Sequence, residues 1–88
     1  MISVAYAPSF LRQLKSLPEH LREEVLIKIE AFKDRRNHKL IKVHKLKGRL
    51  KGRYSFSVNY KTRIVFNYLA SNDAAVLLAI GDHDVYDI

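Results

Sequence analysis

Arg53-Tyr54-Ser55-Phe56-Ser57-Val58-Asn59-Tyr60 alternates polar and apolar residues without a break. A period of two is what a β-strand with one buried and one wet face produces. The pattern predicts that Tyr54, Phe56, Val58 and Tyr60 point inward and that Arg53 shares the outer face with Ser55 and Ser57. Downstream, residues 59 to 62 turn the chain, and 63 to 69 read as a second strand with Ile64, Phe66 and Tyr68 inward. Ser71-Asn72-Asp73 supplies the next turn. Residues 74 to 80 are a continuous apolar run bounded by turn residues, which predicts a central strand covered on both sides. Upstream, residues 37 to 52 form a basic connection with the near repeat Leu46-Lys47-Gly48-Arg49 and Leu50-Lys51-Gly52-Arg53, a loop feature rather than a solenoid. Before it, Ser16-Leu17-Pro18-Glu19 fits a capping box, and Leu21, Val25, Ile29 and Phe32 follow at helical spacing. A helix over residues 18 to 36 is predicted, with Glu24 and Lys28 paired across one turn and Arg35 and Arg36 at its carboxyl end. Pro8 opens a shorter helix that carries Phe10, Leu14 and Leu17 on one side, and residues 1 to 6 alternate as a strand. The order β-α-α-β-β-β predicts an α+β domain with two helices on one face of a four-stranded sheet.

The chain has 88 residues, so residues 1 to 88 are expected to form one domain, with one modest core and no deep cavity for a large cofactor. Its 48% hydrophobic content, with only three Gly and two Pro, argues against disorder. The absence of Cys excludes a disulfide scaffold, a thiolate nucleophile and Cys-based zinc sites, and a reducing cytoplasm is the expected location. The start has neither the basic region nor the long apolar run of a signal peptide, and no apolar stretch reaches the roughly 18 residues that span a bilayer, so a soluble chain is expected.

The net charge of +7 is unevenly distributed. Residues 1 to 27 are neutral overall, with three basic and three acidic side chains; residues 28 to 63 hold thirteen basic and two acidic, net +11; residues 64 to 88 hold four Asp, net −4. Such a block is the electrostatic footprint of a polyanion binder, since each neutralised phosphate releases counterions. A solvated basic face is the alternative reading. A membrane partner is not expected, because the block runs out of a helix into a Gly-containing loop instead of lining one face of a helix.

His44 and His83 are the two imidazoles beside groups that could put them to work as acid or base near neutral pH. His83 is flanked by Asp82 and Asp84 and followed by Tyr86, and one carboxylate could orient the ring. Two carboxylates and one His lack a fourth ligand, so neither a metal nor another cofactor is expected. Cleavage of RNA requires a proton to leave the 2′-hydroxyl, charge to be neutralised on a pentacoordinate phosphate, and a proton to reach the 5′-oxygen. Lys, Arg, His and Tyr can do all three without metal. Lys45, Lys47, Arg49, Lys51, Arg53 and Arg63 supply the positive donors, and a forked guanidinium suits phosphate best. The same arginines could simply guard strand ends. Tyr54, Phe56, Tyr60, Phe66 and Tyr68 read as core aromatics and not as base-stacking platforms. The P-loop, dinucleotide-binding, zinc-protease and serine-hydrolase motifs are all missing.

The segments His44-Lys45-Leu46-Lys47-Gly48, Gly52-Arg53-Tyr54-Ser55, Arg63-Ile64-Val65-Phe66 and Gly81-Asp82-His83-Asp84-Val85-Tyr86, in this order of elements, resemble the RelE/ParE superfamily of bacterial and archaeal toxins. The resemblance covers nearly the whole chain. It implies an endoribonuclease that cuts mRNA in the ribosomal A site and is silenced by a cognate antitoxin wrapped around it in a toxin–antitoxin hetero-oligomer. The ParE-like branch implies instead a poison of DNA gyrase, and a non-catalytic nucleic-acid-binding module is a third possibility. By match, His83 resembles the C-terminal catalytic His of the YafQ-like and YoeB-like branches, Arg63 the phosphate-stabilising Arg of the RelE-like and YoeB-like branches, and His44 the His of the YafQ-like H-x-L-x-G segment. Tyr86 is similar in kind to the aromatic near the end of those chains. The YafQ-like branch has a further His and an Asp where this chain has Ser57 and Lys61, and no acidic residue lies between Asp34 and Asp73. The 2′-proton is left to His44, His83 or a lysine.

Overall fold

The computed structural model describes residues 1–48 and 52–82. Strand β1 (Ser3–Tyr6) leads into helix α1 (Pro8–Ser16) and helix α2 (Glu19–Phe32), followed by a 3-10 turn (Arg35–Asn37). Strands β2 (His44–Lys45), β3 (Tyr54–Ser57), β4 (Arg63–Tyr68) and β5 (Ala74–Gly81) follow among the described residues. The five strands form one sheet in the order β1-β5-β4-β3-β2. β1 runs parallel to β5 and the other neighbours are antiparallel. The parallel pair needs a long crossover, which the rest of the chain supplies. No described helix is long and apolar enough to cross a membrane.

Both helices cover one face of the sheet. Val25, Ile29 and Phe32 recur on one side of α2 and are buried with Phe10 of α1 against Phe56, Ile64, Phe66, Ala75, Leu77 and Ile80 of the sheet. Phe32 is the hub of this layer. Its ring stacks on Phe56 at 4.8 Å, meets Phe66 edge-on at 4.7 Å and is covered by the His38 ring at 5.0 Å.

The fifth strand is the first departure from expectation. β2 lies in the stretch read as a loop; it holds only two residues, paired as His44 with Ser55 and Lys45 with Tyr54, too few to show a period. The second concerns the alternation within residues 74 to 80, where Ala75, Leu77 and Ile80 are buried and Val76, Leu78 and Ala79 half-buried. A β-bulge shifts the β4–β5 register between Val65 and Phe66, so Ala75, Leu77 and Ile80 all face the helices although the last two are three apart. The bulge breaks the alternation and makes the run look continuous. α1 packs against this irregularity and satisfies it: Ser9 Oγ donates to the Leu78 carbonyl at 3.0 Å, and Gln13 Oε1 accepts from the Ile80 N–H at 2.8 Å.

The capping box is not formed. Pro18 is the residue before α2 and makes no side-chain cap, while Ser16 Oγ turns back to the Gln13 carbonyl. Arg22 closes the corner instead, with Nη2 donating to the Leu17 carbonyl at 2.9 Å. α2 ends at Phe32, four residues earlier than its propensities suggest, because Asp34 accepts from the Arg36 N–H and nucleates the 3-10 turn. Arg35 and Arg36 therefore do not serve the end of α2. Arg36 pairs with Asp34 at 2.7 Å, and Arg35 donates to the Asn72 carbonyl. Glu24 accepts from Asn59 at 3.4 Å, and the one-turn ion pair on α2 is Lys33 with Glu30.

Hydrogen bonds from the Arg36 guanidinium and backbone N–H hold the Asp34 carboxyl down from 3.8 to about 2. A lowered carboxyl stabilises the fold above its ordinary range, and the contribution is lost as pH falls toward 2. Asp34→Asn should therefore flatten the acid limb of a melting-temperature profile between about pH 4 and pH 2, as followed by circular dichroism. An unchanged acid limb would contradict this.

Candidate nucleic-acid interface

Side chains alternate across the sheet, so the face turned away from the helices has a composition fixed by register. His44 on β2 pairs with Ser55 on β3, Ser55 with Val65 on β4, and Val65 with Ala79 on β5. A second row runs from Ser57 to Arg63 to Gly81. Arg53 stands two residues before Ser55 on the same face, as the alternation predicts. Ser55 and Val65 form the buried centre of this face, Arg63 is half-buried, and His44 and Arg53 are exposed. From strand spacing, His44 and Arg63 stand about 12 Å apart at Cα, a span that two long side chains can close on one phosphodiester.

The His44 ring is oriented by a backbone carbonyl. Its Nδ1 lies 2.8 Å from the Lys42 carbonyl, which can only accept, so the neutral ring carries its proton on Nδ1 and presents the Nε2 lone pair. Arg63 is anchored through one nitrogen. Nη1 donates to the carbonyls of Asn59 at 2.6 Å and Thr62 at 3.2 Å, leaving Nε and Nη2 without a partner among the described residues. That arrangement fixes the guanidinium and keeps part of its fork for a ligand.

Part of the unpaired charge of the basic block lies at the β2–β3 edge. In the basic block, Lys33, Arg35, Arg36 and Lys61 have carboxylate partners. Lys45, Lys47, Arg53 and Arg63 have none among the described residues, and the first three are exposed on or beside the β2–β3 edge. A polyanion laid on this edge meets cations that no described carboxylate neutralises.

Arg49, Lys51, His83 and Tyr86 lie outside the described residues. The described chain ends next to the site: Gly81 pairs with Arg63, and Asp82 lies 4.0 Å from the Lys61 ammonium. Among the aromatics, Phe56 and Phe66 are core residues, and Tyr54 and Tyr68 pack against the core. Tyr60 is a correction. β3 ends at Ser57, the chain turns, and Tyr60 is 92% exposed. Sequence reasoning also passed over the two residues that hold the site from behind, Lys42 and Asn59. An Asn that ends a strand signals a turn, and here its Oδ1 accepts from the N–H groups of Lys61 and Thr62. Lys42 adopts φ 60°, a left-handed conformation that nothing in its sequence context announces.

No family model and no curated relative matches the sequence. Solved structures do match. The RelBE2 toxin–antitoxin complex of Mycobacterium tuberculosis contains a chain of 21% identity, with 92% of this chain and 96% of that one covered at a TM-score of 0.72. The YoeB–YefM complex from Staphylococcus aureus matches at 17% identity, with coverage of 94% and 98% and a TM-score of 0.71. YafQ from E. coli matches at 12% identity, with coverage of 98% on both sides and a TM-score of 0.70. At such low identities the likeness is one of backbone architecture, and over nearly its whole length this chain has the fold shared by RelE-like, YoeB and YafQ toxins.

Proposed function

We propose that this protein is the toxin of a type II toxin–antitoxin pair, an endoribonuclease that cuts mRNA on the ribosome by metal-independent acid–base chemistry in the cytoplasm. The observation that carries the reading is the sheet face opposite the helices, where an imidazole whose Nε2 has no partner among the described residues stands across from an anchored arginine, beside cations that no described carboxylate pairs with. The shared fold and the toxin–antitoxin complexes among the similar structures support it.

In this mechanism His44 Nε2 takes the 2′-hydroxyl proton as the 2′-oxygen attacks phosphorus. The bond to the 5′-oxygen breaks, leaving a 2′,3′-cyclic phosphate on one fragment and a 5′-hydroxyl on the other. His83, which follows Gly81 by two residues in the sequence, returns a proton to the 5′-oxygen, and Tyr86 is the further candidate in the same tail. Arg63 and Arg53 neutralise the charge that accumulates on the phosphate. Lys45, Lys47, Arg49 and Lys51 track the RNA backbone, where positive charge contributes affinity without sequence choice. A cognate antitoxin completes the pair and silences the enzyme in a hetero-oligomer.

The test is to express the chain alone and map transcript ends on translated and untranslated copies of one message. Cuts confined to the translated copy are expected. Intact transcripts with induction of DNA-damage signalling would identify gyrase poisoning instead, and RNA binding with a steep salt slope but no cuts would identify a non-catalytic module.

A further inference from the structure

Arg63 serves a phosphate best when its guanidinium is already turned toward it, and both groups that hold it are carbonyls of the turn between β3 and β4. That turn is built around one side chain. Asn59 Oδ1 accepts from the N–H groups of Lys61 at 2.9 Å and Thr62 at 2.8 Å, while Asn59 Nδ2 donates to Glu24 Oε2 on α2 at 3.4 Å. Two N–H groups on one side and a carboxylate on the other admit only this orientation of the amide. The Thr62 carbonyl closes the turn by accepting from the N–H groups of Val58 at 2.9 Å and Asn59 at 3.4 Å, and Thr62 itself is buried. Tyr60 at the tip is exposed and lends the turn little packing. The Asn59 side chain therefore sets the backbone whose carbonyls, at residues 59 and 62, accept from Arg63 Nη1 at 2.6 and 3.2 Å.

We propose that Asn59 is a positioning residue for the phosphate-binding arginine: its amide, braced by Glu24, sets the direction of the Arg63 guanidinium, so that α2 acts on the opposite face of the sheet. The inference rests on the function proposed above for the role of Arg63, and goes beyond it by naming a side chain that touches no RNA. Alanine at this position leaves the N–H groups of Lys61 and Thr62 without their acceptor, and the two carbonyls are then free to turn away from Arg63. Aspartate still accepts from both N–H groups, but it cannot donate to Glu24 and sets two carboxylates face to face. Glutamine at position 24 restores a donor to that contact, with the roles of the two partners exchanged.

The experiment follows the Arg63 guanidinium by NMR in the isotopically labelled full chain, and beside it measures binding of a 2′-O-methyl RNA oligonucleotide, which has no 2′-hydroxyl and cannot be cut. In the unsubstituted chain the Arg63 Nη1 and Nη2 signals should be resolved, because the bonds at Nη1 slow rotation of the group. With Asn59→Ala they should merge. Asn59→Asp should merge them too, and adding Glu24→Gln should resolve them again; this pair carries the same comparison if Asn59→Ala does not fold. Oligonucleotide affinity should fall about tenfold with Asn59→Ala, but by less than about twofold when Arg63→Ala is already present, since a residue that acts only through Arg63 has nothing further to lose. Signals resolved in every variant, signals already merged in the unsubstituted chain, or no recovery with Glu24→Gln would overturn the inference. Equal losses of affinity with and without Arg63→Ala would overturn it as well, by assigning Asn59 to the turn alone. An unsubstituted chain that leaves the oligonucleotide unbound would count against the RNA reading, and the NMR comparison would still decide this inference.

Discussion

Arg63→Ala is expected to lower RNA cleavage by about 10²- to 10³-fold, the loss usual when one preorganised donor to a developing anion is removed. Two features make Arg63 the most sensitive position among the described residues. It opens β4 opposite Ser57 and Gly81, so the sheet fixes its starting point, and the carbonyls of Asn59 and Thr62 hold one end of its guanidinium. The remaining nitrogens are aimed without further ordering of the side chain. Arg63→Lys should recover only part of the activity, because an ammonium keeps the charge but not the fork. Transcript-end counts for the two variants, normalised to protein level, decide the matter. Undiminished cleavage by Arg63→Ala would remove it from the chemistry. The same substitution leaves two carbonyls of a surface turn to water, so its melting temperature should fall only slightly.

Phe32→Ala is expected to cost about 3–5 kcal/mol, the range for truncating a buried aromatic. A chain of this length has roughly 4–13 kcal/mol of stability in all, so the variant should melt lower by about 15 °C or more, or fail to fold. Phe32 is fully buried at the end of α2, touching Phe56 on β3 and Phe66 on β4, so its loss opens a cavity where helix and sheet layers meet. His38 adds to the effect, since it stacks on Phe32 and bonds to the Phe32 carbonyl at 2.6 Å. Thermal unfolding by circular dichroism measures the change. A loss below about 1 kcal/mol would show that the ring is not the hub of the core.

The two expected results rest on different parts of the sequence's legibility. The strand at Tyr54–Ser57 and the turn at Ser71-Asn72-Asp73 are readable because their signals are local: strict alternation in the first, turn-forming side chains in the second. β2 is not readable, because two residues cannot display a period and the pairing of His44 with Ser55 is a tertiary fact. The end of α2 is misread for a similar reason. Lys33-Asp34-Arg35-Arg36 has no helix breaker, and only the Asp34 side chain folding onto the Arg36 N–H decides against continuation. Tyr60 looked inward by extrapolating an alternation past the point where the strand stops.

For the site, the shared face of Arg53 with Ser55 and Ser57 followed from alternation alone. That His44 and Arg63 belong to that face needed the β2–β3 and β3–β4 registers. Their backbone anchors at Lys42 and Asn59 were invisible beforehand, since a carbonyl carries no residue identity.

RNA is placed on the sheet face opposite the helices and not on the helices, and a charge-matched pair of substitutions tests that placement directly. Arg53→Glu and Arg12→Glu change the net charge equally, and both positions are exposed, but the first stands at the β2–β3 edge and the second on α1. Transcript cleavage in cells expressing each variant at equal level should be lost with Arg53→Glu and retained with Arg12→Glu. Equal loss in both, or equal retention, would contradict the placement of the RNA.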